Sequence, residues 1–208
     1  MPAVRECRLA LLPAIPLALA VVGRPWLEAD MARHMLLEFP LLLLAGALSG
    51  RAVLQRHSPW LSRANQYGLA GLVLVSMVVA YWMIPAALDN AIRSGWIGAV
   101  KYLTLFAAGF MLPGSMRLAP LPVQAFWIGN SVWMMATVGM VYQGAARQLC
   151  LYYRSDAQVV AGRGLVLTAI ALMLGWTFFA WERLRSTTIQ DRSTGFRDST
   201  GVASVDVR

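Results

Sequence analysis

Lysine occurs only once in the 208 residues, at Lys101, and histidine and cysteine twice each. Charged residues make up 13% of the chain, against about a quarter in a soluble domain. The two cysteines, Cys7 and Cys150, lie far apart with no C-x-x-C, so neither a disulfide framework nor a thiolate metal site follows. There is no nucleophile elbow, P-loop or dinucleotide fingerprint. No nucleophile has a base within plausible reach, so the chain reads as non-enzymatic. The net charge is +8, yet no basic stripe interleaved with aromatics offers a path for nucleic acid.

What the chain does have is apolar length. Hydrophobic residues are 58% of it, with 8 Trp and 11 Met, a composition that excludes disorder for most of the sequence and suits a membrane. A crossing helix needs about 20 mostly apolar residues. Six segments qualify, near Leu9 to Gly23, Met31 to Gly50, Tyr67 to Pro85, Gly95 to Pro113, Leu121 to Tyr142 and Val159 to Trp181. The expectation is an all-α polytopic membrane protein of about six transmembrane helices. The transmembrane domain covers 1–185, and a disordered cytoplasmic tail covers 186–208. The first segment has a rival reading as a cleaved signal peptide, since Arg5 and Arg8 precede a short apolar core and Ala18-Leu19-Ala20. Gly46 and Gly50 form a G-x-x-x-G that allows close helix approach.

The arginines set the orientation. Arg5, Arg8, Arg51, Arg56, Arg63 and Arg117 fall on one side with the tail arginines, against Arg24, Arg93, Arg147 and Arg154 on the other. Positive residues concentrate on the cytoplasmic face, which places both termini inside. His34 and His57 then lie on opposite faces, which disfavours bis-histidine haem within one chain. His57, beside Arg56, reads as a solvated or headgroup residue.

The outer face is acidic and rich in methionine. Glu28, Asp30, Asp89 and Asp156 lie in or beside outer loops, while Glu38 lies inside the second segment. A charge at that depth invites a functional reading. Asp30, His34 and Glu38 repeat every four residues and line one helical stripe, each about 6 Å above the last. Met31 faces the same way, and Met83 and Asp89 end the third segment on the same side. Imidazole with thioether suits Cu(I), and imidazole with carboxylate suits Cu(II) or zinc. A metal site would centre on His34, with Asp30 or Met31 from its own helix and Met83 or Asp89 from the next. The bland alternative is a histidine that packs or hydrogen-bonds among acidic neighbours. Glu38 and Lys101 each lie about 10 Å below the outer end of their helices, and unpaired charges there are costly, so the two are expected to pair.

The sequence also resembles a known family. His34-Met35-Leu36-Leu37-Glu38-Phe39-Pro40-Leu41-Leu42 resembles the His-Met-Leu-Leu…Pro-Leu-Leu helix of the CtaG family of cytochrome c oxidase assembly factors. Tyr81-Trp82-Met83-Ile84-Pro85 through Asp89-Asn90-Ala91 is similar to its Trp-His-Leu-Pro…Tyr-Asp-Ala element. Leu105-Phe106-Ala107-Ala108-Gly109 resembles its Phe…Gly segment, and Tyr152-Tyr153 through Asp156-Ala157-Gln158 and Ala161-Gly162 its Tyr…Asp-Gln…Ala-Gly entry into a late span. The four segments occur in the family's order. The resemblance implies a bacterial inner-membrane protein that assists oxidase assembly through copper handling, with terminal oxidase subunits or other assembly factors as partners beside membrane lipid. His34, Pro85, Asp89, Asp156 and Gln158 match family positions. Two family histidines are replaced, by Met83 and by Tyr102. Either Met31, Met35 and Met83 serve instead as soft Cu(I) ligands, or this is a divergent member without metal, a structural or anchor subunit of a membrane complex.

Overall fold

In the computed structural model, residues 12–54, 65–145, 153 and 155–200 are described, and every regular element among them is helical. Cys7, Cys150 and His57, and the expectations that rest on them, lie outside the described residues. The helices are α1 (Ala14–Val22), α2 (Arg24–Leu27), α3 (Met31–Arg33), α4 (Phe39–Leu54), α5 (Leu69–Trp82), α6 (Pro85–Arg93), α7 (Gly95–Leu118), α8 (Leu121–Gly144) and α9 (Ser155–Thr200). A π-helical turn, His34–Glu38, joins α3 to α4, and a short 3₁₀ turn, Gln66–Gly68, leads into α5.

Proline and polar caps explain most of the boundaries. Pro85 and Pro122 stand in the first turns of α6 and α8, where a missing N–H costs nothing. Asp30 caps α3, its carboxylate accepting from the backbone N–H groups of Ala32 and Arg33. The π turn immediately precedes Pro40. In a regular α-helix the Pro40 ring would crowd the Leu36 carbonyl, and the widened turn relieves that.

Among the described residues, three helices are long and apolar enough to cross a membrane: Met31–Arg51, Gly95–Leu118 and Asp156–Ser186. A fourth crossing is possible if α5 and α6, bent by 74°, act as one broken span. Six were expected. Helix α1 has only 9 residues, about 14 Å of rise, too short to span by itself. The third segment breaks after Trp82, because Pro85 cannot continue the backbone ladder of α5. Helix α8 is 24 residues long, but Gln124, Asn130, Ser131 and Gln143 lower its hydropathy. A second difference concerns the tail. Instead of a disordered segment from 186, α9 runs on to Thr200. Extending an existing helix adds one bond per residue without a new nucleus, so polarity alone does not end it.

The helices form two groups. Helix α4 packs along α7, which also receives α5 and α6, while α8 pairs with α9. Glycine brings α4 and α7 together: a β-carbon at Gly46 or Gly50 would collide with the backbone carbonyls of Phe106 and Phe110, and one at Gly109 with that of Leu43. The close approach read from Gly46 and Gly50 is therefore realised. Helix α9 reaches the first group through α3 and the π turn, with Leu36 seated over Gly164. The buried apolar cluster at this end joins Met31, Met35, Phe39, Trp82, Met83, Leu105, Tyr142 and Tyr153.

Candidate functional site: a lysine-centred polar cluster

The polar centre lies where α2, the π turn, α7 and Tyr153 meet. The π turn presents His34 and Glu38 inward, and both are fully buried. Their side chains approach to 3.2 Å, Nε2 to Oε2. Glu28 ends α2, where the chain doubles back before Asp30, and this turn brings its carboxylate over the same spot. Lys101, fully buried on α7, reaches the middle of the group. Its Nζ lies 2.8 Å from Glu28 Oε1, 2.8 Å from His34 Nε2 and 2.9 Å from Glu38 Oε1. An ammonium carries three N–H donors and no acceptor; this one hydrogen-bonds Glu28 and His34 and ion-pairs with Glu38, whose buried carboxylate makes no hydrogen bond among the described residues.

The hydrogen bonds also fix the imidazole. Tyr153 Oη donates to the Glu28 carbonyl at 2.9 Å. It therefore accepts from His34 Nδ1–H at 2.6 Å, which leaves Nε2 as the unprotonated nitrogen that receives the lysine. The ring packs edge-on against Phe39 and Tyr153. On the outer side Arg24 Nε donates to Glu28 Oε2 at 2.9 Å. That bond to Glu28 holds the Arg24 guanidinium above its ordinary pKa. The formal charges of Arg24 and Lys101 thus balance those of Glu28 and Glu38 around a neutral histidine. Burying charges is costly unless each is paired, and the Glu38 carboxylate is held by its ion pair with Lys101.

The expected pairing of Glu38 with Lys101 is present. The expected ligand set differs. The acidic residues grouped with His34 are Glu28 and Glu38, while Asp30 and Asp89 stand outside that group. Asp30 is engaged as a helix cap, which the D-x-x-x spacing before an apolar run signals. Asp89 is buried on α6. Met31 and Met83 are buried in the neighbouring apolar cluster, and the Met83 carbonyl accepts from Tyr142 Oη at 2.7 Å. Glu28 and Tyr153 were not among the expected site residues. The Arg24-to-Glu28 spacing of four was a local signal for the first. Nothing local marks Tyr153, which lies 119 residues from its histidine.

One ligand atom each from Glu28, His34 and Glu38 fall within 4.8 Å of one another, a spacing able to hold a metal ion. The Lys101 ammonium takes the central position, and an ion cannot share it. Two carboxylates with one imidazole are also harder donors than Cu(I) prefers. In this arrangement the centre does not fit copper. No established family profile matches the chain, and no curated protein or solved structure is significantly similar to it.

Proposed function

We propose that this chain is a polytopic accessory factor of a bacterial inner membrane that assists assembly of a terminal oxidase. Its outer-side centre is held shut by its own lysine rather than loaded with copper. The observation that carries the reading is convergence. The four segments that resemble the CtaG family are distant in sequence yet tied together at one end of the bundle. His34 bonds Tyr153, Tyr142 bonds the Met83 carbonyl, Gln158 bonds the Tyr142 carbonyl at 3.1 Å, and Trp82 Nε1 bonds Thr104 beside the Phe…Gly segment at 2.9 Å. In the full topology the apolar segment Leu9 to Gly23, of which α1 is one part, the bent α5–α6 pair and α8 supply crossings beyond the three long apolar helices, and both termini are cytoplasmic.

The test is deletion in a host that makes both this chain and a haem–copper oxidase. Loss of oxidase activity and of its binuclear-centre spectrum, restored by the wild-type gene, is the expected result. Unchanged oxidase would refute the reading. Copper handling is a second reading, favoured by the burial of Met31, Met35 and Met83 in one cluster beside the centre. Thioethers are soft Cu(I) donors. Purified protein that retains stoichiometric Cu(I) after dialysis, and loses it on Met31→Leu/Met83→Leu substitution, would favour that reading over the lysine-closed one.

A further inference from the structure

We infer that the cavity between the two helix groups, at the end opposite the lysine centre, is a binding site for one anionic phospholipid. Helices α8 and α9 pack on each other, and α9 meets the first group mainly through α3 and the π turn. At the other end Trp127 ties α8 to α5, and a cavity of about 610 Å³ opens among α4, α7, α8 and α9. Three arginines from three different helices line it: Arg51, Arg117 and Arg183. Among the described residues no acidic side chain does. Glu182, exposed on α9, is the nearest acidic neighbour in sequence and is outside the lining.

The walls and the depth favour a lipid over a soluble anion. The lining is mostly apolar and aromatic, with Arg183 stacked 5.3 Å from the Phe179 ring centre. Two tryptophans also line it, and they differ. Trp127 Nε1 donates to Ser76 Oγ and the Leu72 carbonyl. The Trp176 indole N–H is buried and makes no hydrogen bond. A buried donor left unpaired is costly, and Trp176 lies seven residues, about 10 Å, deeper along α9 than Arg183. A phosphate held by the arginines would place glycerol-ester carbonyls below it, toward that N–H, and acyl chains along the apolar walls. Basic pockets between helices on the cytoplasmic side suit anionic headgroups, and the arginine distribution assigns this end to the cytoplasm.

The experiment uses the full chain, purified and delipidated in detergent, with phosphatidylglycerol and phosphatidylcholine in competition and retained lipid counted by native mass spectrometry. One phosphatidylglycerol per chain should be retained in preference to phosphatidylcholine. Each arginine near an anionic headgroup is worth about fivefold in affinity, so Arg51→Gln/Arg117→Gln/Arg183→Gln should weaken retention by about a hundredfold. Trp176→Phe keeps the ring and removes the donor, and should weaken it by about fivefold. Arg163→Gln, on α9 but outside the cavity, should change nothing. An unshifted thermal midpoint of the lipid-free variants shows that they are folded. Equal retention of the two lipids, an unaffected triple variant, or complete displacement by inorganic phosphate would each overturn the inference.

Discussion

Replacing Lys101 by methionine should destabilise the fold more than replacing Glu38 by glutamine, and the double substitution should recover part of the loss. The Gln amide still faces Lys101, and Glu28 at 2.8 Å still balances the ammonium. That single change should cost about 1–3 kcal/mol, the cost of a buried polar group left imperfectly satisfied. Lys101→Met removes the cation in direct contact with Glu38. Glu28 keeps Arg24 at 2.9 Å, but the Glu38 carboxylate is left buried without compensation, which costs about 3–5 kcal/mol. In the double variant no uncompensated charge remains, so a coupling of about 2 kcal/mol is expected, within the range found for contacting residues. Reversible unfolding in mixed detergent micelles measures all four corners of the cycle. Strictly additive losses, or a Lys101→Met variant no less stable than Glu38→Gln, would refute the paired-charge account.

Four further outcomes are expected. Tyr153→Phe removes the hydroxyl that joins His34 Nδ1–H to the Glu28 carbonyl and should cost about 2 kcal/mol, with a change in the imidazole nitrogen resonances that a purely apolar role would not produce. Gly46→Val places side-chain atoms against the Phe106 carbonyl and should cost about 3 kcal/mol or more. Gly129→Ala, with open space around the added carbon, should stay within about 0.5 kcal/mol in the same denaturation assay. A phosphatase reporter fused after Ser186 should be inactive and a cytoplasmic reporter at the same point active. The reverse pattern would place the end of α9 outside.

Features set by local pattern were legible in the sequence. Helical class follows from apolar length, and the close contact of α4 with α7 from Gly46 and Gly50. The Glu38–Lys101 pair follows from depth arithmetic on two helices, because both charges had to find partners at the same level. Features set by chain reversal were not legible. Glu28 reads as an outer-loop acid until α2 turns it inward, and Tyr153 reaches His34 only because α9 docks on α3. Counting apolar segments gave six candidates, where three helices among the described residues, or four with the bent pair as one span, are long and apolar enough to cross a membrane. Apolar length does not register a break such as that before Pro85. The stripe of Asp30, His34 and Glu38 was correct in direction for its last two members. Its first member was already spent on the helix cap, which left the stripe one carboxylate short and gave that place to Glu28.

Because Lys101 is the only lysine, labelling lysine side-chain nitrogen with ¹⁵N yields one signal from the centre of the site. Solid-state magnetic resonance of the full chain in lipid bilayers then tests most directly whether an ammonium fills the position between Glu28, His34 and Glu38. The account predicts a single ammonium resonance with through-space correlations to two glutamate carboxylates and to an unprotonated imidazole nitrogen. A neutral amine, or an ammonium correlated with none of these three groups, would contradict it.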